Sequence, residues 1–449
     1  MSRRSTLVAL VTVSTALVAP PVEAAAASPP VPEADVSPAM DPKRAIAYWT
    51  ARKQFNTDAG SLPENVVIPR AAGGRAGVPG HKRLTPGADV NGYARMPEPY
   101  RRSLDSRATG RLYYLDANGR RKSCSGAVVR SARGLLVATA AHCLYGVSRG
   151  RRGVWSRNIA FVPAYNPRAE KAADRVPYGV WGARRAWKPA RFTGVSPYDW
   201  DSIYDVGLVE FAKRGSATLQ GRVGGFTPMR SEGGRRTVVS VGYPSDRPYD
   251  GTRQLWCLAH TRLWPGHAAG GGVGGRMRTD NCHLFGGNSG GPWLTKDGGM
   301  LAGVLTSGAS NDAGHGYAVA NPLGGESYAA VVRRADPRGV YDALSVQGSG
   351  TTRRVTATVT MKGLMAAADV PVVFTLPPGS RAGKTKGCTA EGREVRCSLP
   401  LVRPGRPVRV SVPVRIPRTD RPSATVSVAS TFLDPDRRDN HDRFRLTSR

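Results

Sequence analysis

The chain has 449 residues, of which 40% are hydrophobic and 22% charged, and 65 Lys and Arg set against 33 Asp and Glu give a formal net charge of +32. Such a composition excludes a chain disordered throughout. No stretch is apolar over the roughly 20 positions that a membrane helix needs, which excludes a transmembrane anchor. The basic excess would suit a polyanion such as nucleic acid, an anionic cell-wall polymer or acidic lipid. Arginine far outnumbers lysine, however, and is spread along the whole chain. No dense basic block with interleaved aromatics marks a specific nucleic-acid site, so the excess reads first as genome composition in an exported protein. An anionic cell-wall polymer is kept as a partner that the basic surface could take.

In chain order, Arg3 and Arg4 precede an apolar run from Leu7 to Val18, and small residues follow from Ala24 to Ala27. Basic, apolar, small is the order of a secretory signal peptide, assigned to residues 1–27. The expected location is therefore extracellular, with attachment to the cell wall as a variant. Residues 28–107 are rich in Pro, Gly, Ala and Arg, as in SPPVPEADVSP and RAAGGRAGVPGHKRLTPG. They lack the periodicity of a buried element and are expected to be mobile, a propeptide or disordered linker. Within them DPKRAIAYWTARKQF predicts a short amphipathic helix opened by Pro42. Arg101-Arg102 and Arg107 offer basic sites for its removal.

From TGRLYYLD onward, short β-rich runs alternate with Gly, Pro and Asp turns: CSGAVVRS, GLLVATAAHCL, NIAFVPAY, DVGLVEFA, TVVSVGYP, LAGVLTSG and GYAVA. That spacing predicts an all-β barrel or sandwich over 108–344. One late helix is expected near GESYAAVVRRA, and GHAAGGGVGGRMR, lacking core-forming residues, reads as a surface loop. Residues 345–449 alternate apolar and polar positions with period two, as in a small antiparallel β-sandwich.

The six cysteines fall as three local pairs, Cys124 with Cys143, Cys257 with Cys282, and Cys388 with Cys397. An even count in an exported chain suggests three disulfides; six cysteines allow 15 pairings, of which nearest neighbours are the simplest. No C-x-x-C spacing or histidine pair points to zinc. His260, His267, His315 and His441 form no metal-spaced cluster and read as surface or structural residues. The Asp- and Asn-rich close DPDRRDNHD lacks the glycine-containing 12-residue loop of a calcium site.

Three segments bear on chemistry. His142 ends ATAAHC, beside a cysteine able to tether its loop. Asp205 opens a strongly apolar strand in DSIYDVGLVEF, where an unpartnered carboxylate would be costly to bury. Asp199 and Asp201 are the nearby alternatives. Ser289 lies in FGGNSGGPWL, whose glycines permit a tight turn that presents a hydroxyl and backbone N–H groups.

These segments resemble the trypsin/chymotrypsin-like serine peptidases in content and in the chain order His, Asp, Ser, over roughly Thr109 to Ala343. The resemblance implies two six-stranded β-barrels with the triad His142, Asp205 and Ser289 between them. It also implies an oxyanion hole from the N–H groups of Gly287 and Ser289. His142 would act as base, Asp205 would hold its tautomer, and no metal or cofactor is needed. Asn288 stands where animal trypsins carry the Asp that pairs with a new N-terminus, as in bacterial members of the family. The substrate pocket would be lined by His283, Leu284, Thr306, Gly308 and Gly316, with Leu305 where some glutamyl endopeptidases carry histidine. The last hundred residues resemble Ig-like repeat domains of exported bacterial proteins, a spacer or attachment module. The expected product is a monomeric, secreted serine endopeptidase acting on proteins or peptides. The competing readings are an inactive peptidase fold that binds cell-wall polymers or proteins, and an esterase, whose G-x-S-x-G order and alternating helices are not found in this sequence.

Overall fold

In a computed structural model, the protein is described over residues 33–50, 53–54, 57–59, 84–148, 153–194, 203–231, 234–264, 275–297, 299–309, 316–417, 421–429 and 433–448. The expected signal peptide lies outside them. The first elements are β1 (Ala34–Val36), α1 (Pro42–Tyr48), β2 (Asp58–Ala59), β3 (Ala94–Arg95) and α2 (Leu104–Arg107). Helix α1 starts where the sequence places it: the Asp41 carboxylate accepts from the N–H groups of Lys43 and Arg44, and Pro42 occupies the first turn, where its missing N–H is harmless. It stops at Tyr48, short of the expected Phe55, because Trp49 turns inward and is buried.

The expectation that residues 28–107 are mobile and coreless is corrected for their described parts. β1 pairs antiparallel with a barrel strand at Ala34↔Pro189 and Val36↔Trp187, and β3 pairs at Leu255↔Arg95. Ala34, Ala45, Trp49, Tyr93, Met96 and Tyr100 are all buried. These residues are too few and too scattered to make a core alone, so they complete the cores of the two barrels.

The first barrel comprises β4 (Thr109–Leu115), β5 (Arg121–Val128), β6 (Leu136–Thr139), β9 (Arg157–Pro163), β10 (Trp181–Pro189) and β11 (Gly207–Phe211), with the hairpin β7 (Tyr145–Val147) and β8 (Gly153–Trp155) beside it. The order β10-β11-β6-β5-β4-β9 closes through a β9–β10 pairing at Trp181↔Phe161. Closure leaves no free edge within the ring.

A short helix α3 (Leu219–Val223) and strand β12 (Thr227–Arg230) lead to the second barrel. Its strands are β13 (Thr237–Gly242), β14 (Leu255–His260), β15 (Arg262–Trp264), β16 (Arg276–Thr279), β17 (Pro292–Thr295), β18 (Met300–Ala309) and β19 (Tyr317–Pro322). β14 and β15 form one bent strand: its first half pairs with β13, its second with β16, and β16-β19-β18-β17-β13 completes the circuit. The sequence assigned RMR to a surface loop, yet Arg276 and Met277 are buried in β16. Helix α4 (Glu326–Ala335), expected from GESYAAVVRRA, packs its apolar side into the first barrel's core.

The remainder forms two facing sheets. One is β24 (Cys388–Glu391), β25 (Glu394–Val402), β22 (Ala366–Thr375), β27 (Ser423–Val428) and β28 (His441–Arg445); the other is β20 (Leu344–Thr351), β21 (Arg354–Met361), β26 (Val408–Arg415) and β23 (Arg381–Ala382). Val355, Val359 and Val412 of one sheet meet Val372, Phe374 and Val426 of the other in a single core. The alternation along β21 and β25 is the period-two signal read from sequence. The molecule is all-β, as expected.

Candidate active site

The histidine and serine loops are brought together by the first barrel's β5. Cys124 in β5 is joined to Cys143, the neighbour of His142, with S–S 2.05 Å. Ser125 then reaches across to the second barrel. Its N–H donates to the Ser289 carbonyl (2.8 Å), its hydroxyl donates to the Gly287 carbonyl (2.8 Å), and the same oxygen accepts from the Tyr243 N–H (3.0 Å). Sequence reasoning passed over Ser125; its position directly after the tethering cysteine was the available signal.

His142 lies on the single turn Ala141–Cys143 that comes after β6. Asp205 precedes β11, which pairs with β6 at Gly207↔Thr139, so sheet register sets the acid beside the imidazole. One carboxylate oxygen lies 2.7 Å from His142 Nδ1 and the other accepts the His142 backbone N–H at 2.9 Å. Both side chains are almost wholly buried. With Nδ1 donating to the carboxylate, the proton sits there and Nε2 is left as the basic nitrogen. His142 Nε2 and Ser289 Oγ are both buried and make no hydrogen bond among the described residues. Asn321 Nδ2 donates to the Asp205 carbonyl (3.1 Å) and holds the acid's backbone to β19.

The serine loop, 285–291, is shaped by glycine. Gly287 has φ +89° and Gly290 φ +76°, conformations that L side chains rarely adopt. A Cβ on Gly290 would also strike Thr139 Oγ1 and lie 2.8 Å from the Ala140 N, within the loop that carries His142. The loop is braced by Gly286 N–H donating to Asp246 (2.6 Å) and Ser245 N–H donating to the Gly286 carbonyl (2.6 Å). Asn288, Gly290 and Gly291 donate their N–H groups to Phe285, Leu305 and Asn288. Among the described residues, those of Gly287 and Ser289 have no backbone acceptor.

Four of the residues expected to line a substrate pocket converge. His283 lies against Gly316, where any Cβ would meet its ring, and Gly308 lies against Leu284. The Leu284 N–H donates to the Tyr317 carbonyl (3.2 Å). Thr306 is buried in β18 and its hydroxyl points back to the Val319 carbonyl (3.4 Å). Leu305 is buried and its carbonyl accepts from Gly290, so it supports the serine loop. His260 is exposed and 3.0 Å from Thr237 Oγ1, and His441 is exposed. His267, His315, Asp199 and Asp201 lie outside the described residues. The other disulfides are Cys257–Cys282 and Cys388–Cys397. Cys124, Cys143 and His142 lie close enough for a metal, but the disulfide occupies both sulfurs.

Residues 124–304 match the family model described as the trypsin-like peptidase domain. Over that stretch the chain is similar to trypsin-like peptidases. Among solved structures, a thermostable serine protease, AL20, from an extremophilic microorganism is 24% identical with TM-score 0.42, over 52% of this chain and 98% of that one. Protease Anisep from Arthrobacter nicotinovorans is 23% identical with TM-score 0.43, again over 52% and 98%. HL collagenase is 15% identical with TM-score 0.37, over 51% and 93%. Among curated proteins, none matches the chain. No helix among the described residues is long and apolar enough to cross a membrane. Within that stretch the residue before Ser289 is Asn288, whose amide carries no charge.

Proposed function

We propose that the chain is a secreted serine endopeptidase in which Ser289 is the nucleophile, His142 the general base and acid, and Asp205 the group that fixes the histidine. The observation that carries this reading is the pair of bonds from Asp205 to His142, one to Nδ1 and one to the backbone N–H. A carboxylate so engaged holds ring and loop together and leaves Nε2 to take a proton. Ser289 Oγ would attack the scissile carbonyl carbon as its proton passes to Nε2. The tetrahedral oxyanion would be received by the N–H groups of Gly287 and Ser289. Collapse expels the amine, which takes the proton from His142, and water then cleaves the acyl-enzyme by the same route. Three disulfides support folding in an oxidising compartment, in keeping with export.

The test is labelling by a serine-directed fluorophosphonate, together with turnover of a mixed peptide library. Wild type should label at a single site, and Ser289→Ala should lose labelling and on the order of 10⁶ of kcat while keeping its unfolding temperature. Labelling of Ser289→Ala at the wild-type rate would remove Ser289 from the role.

A further inference from the structure

Tyr93 belongs to the stretch that the sequence marks for removal, yet it stands between the serine loop and the pocket wall. Its ring is buried in the second barrel's core. Its hydroxyl donates to the His283 carbonyl (2.8 Å) and accepts from Asn288 Nδ2 (2.9 Å). Both principal capacities of a phenol are thereby used on one stretch of chain, at the pocket-wall residue where it enters the serine loop and at the residue before Ser289. Burial holds the phenol neutral and pushes its pKa well above the ordinary value.

Asn288 lies between Gly287 and Ser289, the two residues whose N–H groups are the oxyanion donors in the proposed mechanism. An Asn288 side chain held at its amide restrains the short backbone that links the two donors. The barrel leaves room for the inward amide only because residue 242 is glycine: a Cβ there would strike Asn288 Oδ1. An uncharged amide forms no ion pair with an ammonium group, but it can be locked by a hydroxyl.

The tyrosine is itself held firmly. Asp89 accepts the N–H groups of Asn91 and Tyr93 on one oxygen and the Tyr249 hydroxyl (2.6 Å) on the other. The Asn91 carbonyl accepts from the His283 N–H (3.2 Å), and Thr85 Oγ1 accepts from the Leu258 N–H (2.7 Å). Downstream, the Gln254 carbonyl accepts from Met96, and the Tyr100 hydroxyl accepts from the Gln254 N–H (3.0 Å).

We propose that Tyr93 is the positioning residue for the oxyanion-forming loop, and that residues 84–107 stay with the active enzyme instead of leaving with a pro-segment. This rests on the serine peptidase reading and deepens it: an internal side chain orders the loop.

The experiment compares full-length wild type with Tyr93→Phe, which keeps the ring and removes the hydroxyl. The expected result is a fall of about 10- to 100-fold in both kcat and fluorophosphonate labelling, below the roughly 10²–10³ of losing an oxyanion donor outright. KM should change less than about threefold, since that loss falls in the transition state. A variant that melts earlier but turns over and labels at the wild-type rate would show a merely structural tyrosine and overturn the proposal. The mass of labelled wild type after gel filtration, co-eluting fragments included, gives a second arm that does not depend on the variant folding. Retention of residues 84–107 supports the proposal, and a labelled enzyme lacking Tyr93 overturns it. Wild type that fails to label at all would instead sink the peptidase reading.

Discussion

Asp205 spends both carboxylate oxygens on one residue, and the consequence of changing it depends on which atom each oxygen meets. In Asp205→Asn, an amide NH₂ facing Nδ1 would favour the tautomer with the proton on Nε2, the atom that must be basic. The expected loss is about 10⁴ in kcat. It should be read beside Asp201→Asn, which is expected to stay near wild type; near-normal turnover in the Asp205 variant with collapse in the Asp201 variant would move the role upstream. His142, Asp205 and Ser289 were legible because each sits in a short local pattern whose chemistry is written in adjacent residues. Tyr93 and Ser125 were not. The partners of Tyr93, His283 and Asn288, lie 190 and 195 positions away, and a polar contact over that distance leaves no periodicity in the chain. Gly242 is silent for the same reason, since its role is to leave space for an amide that arrives from another strand.

At the scale of elements, strands were legible and docking was not. Period-two alternation announces that one face of a strand is buried, but a segment that contributes a few side chains to another element's core shows no pattern of its own. Helix α1 is the case in point. Asp41 and Pro42 declare its start, yet what holds it is Trp49, whose indole N–H donates to the Asn158 carbonyl (2.6 Å) and whose ring lies 5.3 Å from that of Tyr113. β1 adds a salt bridge from Asp35 to the buried Lys188 (2.6 Å). Removing the indole should weaken docking by about 3 kcal/mol, roughly a hundredfold in the undocked fraction. In a Ser289→Ala background, which removes self-cleavage, Trp49→Ala is expected to lose residues before Leu84 to an added protease far faster than its parent. Mass spectrometry over a time course would measure this, and equal rates would show that the anchor lies elsewhere in the segment.

At the scale of the whole molecule, the sequence suggested a spacer after about Ser345, and the boundary is visible as the switch to regular alternation. What it did not show is how the two parts join. Independent modules are usually tied by a flexible linker with few crossing contacts. Here β12, which leads into the second barrel, pairs in parallel with β22 of the sandwich at Met229↔Ala366 and Arg230↔Ala367, so one sheet runs through both. Met229 and Ala366 are buried in the second barrel's core, and Met365 in the core shared with the first. Arg236 reaches across to Asp369 of the sandwich (2.5 Å). A chain ending at Leu344 would expose Met229 and strip one side of β12 of its partner strand. Burying a methionine side chain is worth about 1.5–3 kcal/mol, and an exposed strand edge invites association. A loss of about 3 kcal/mol corresponds to a midpoint lowered by roughly 6–12 °C in a domain of this size. The intact protein should therefore melt in one calorimetric transition, and the truncated chain should melt earlier and associate on heating. Two well-separated transitions, with the peptidase transition unmoved by deletion of 345–449, would show that the shared sheet transmits no stability and that the sandwich is a passenger.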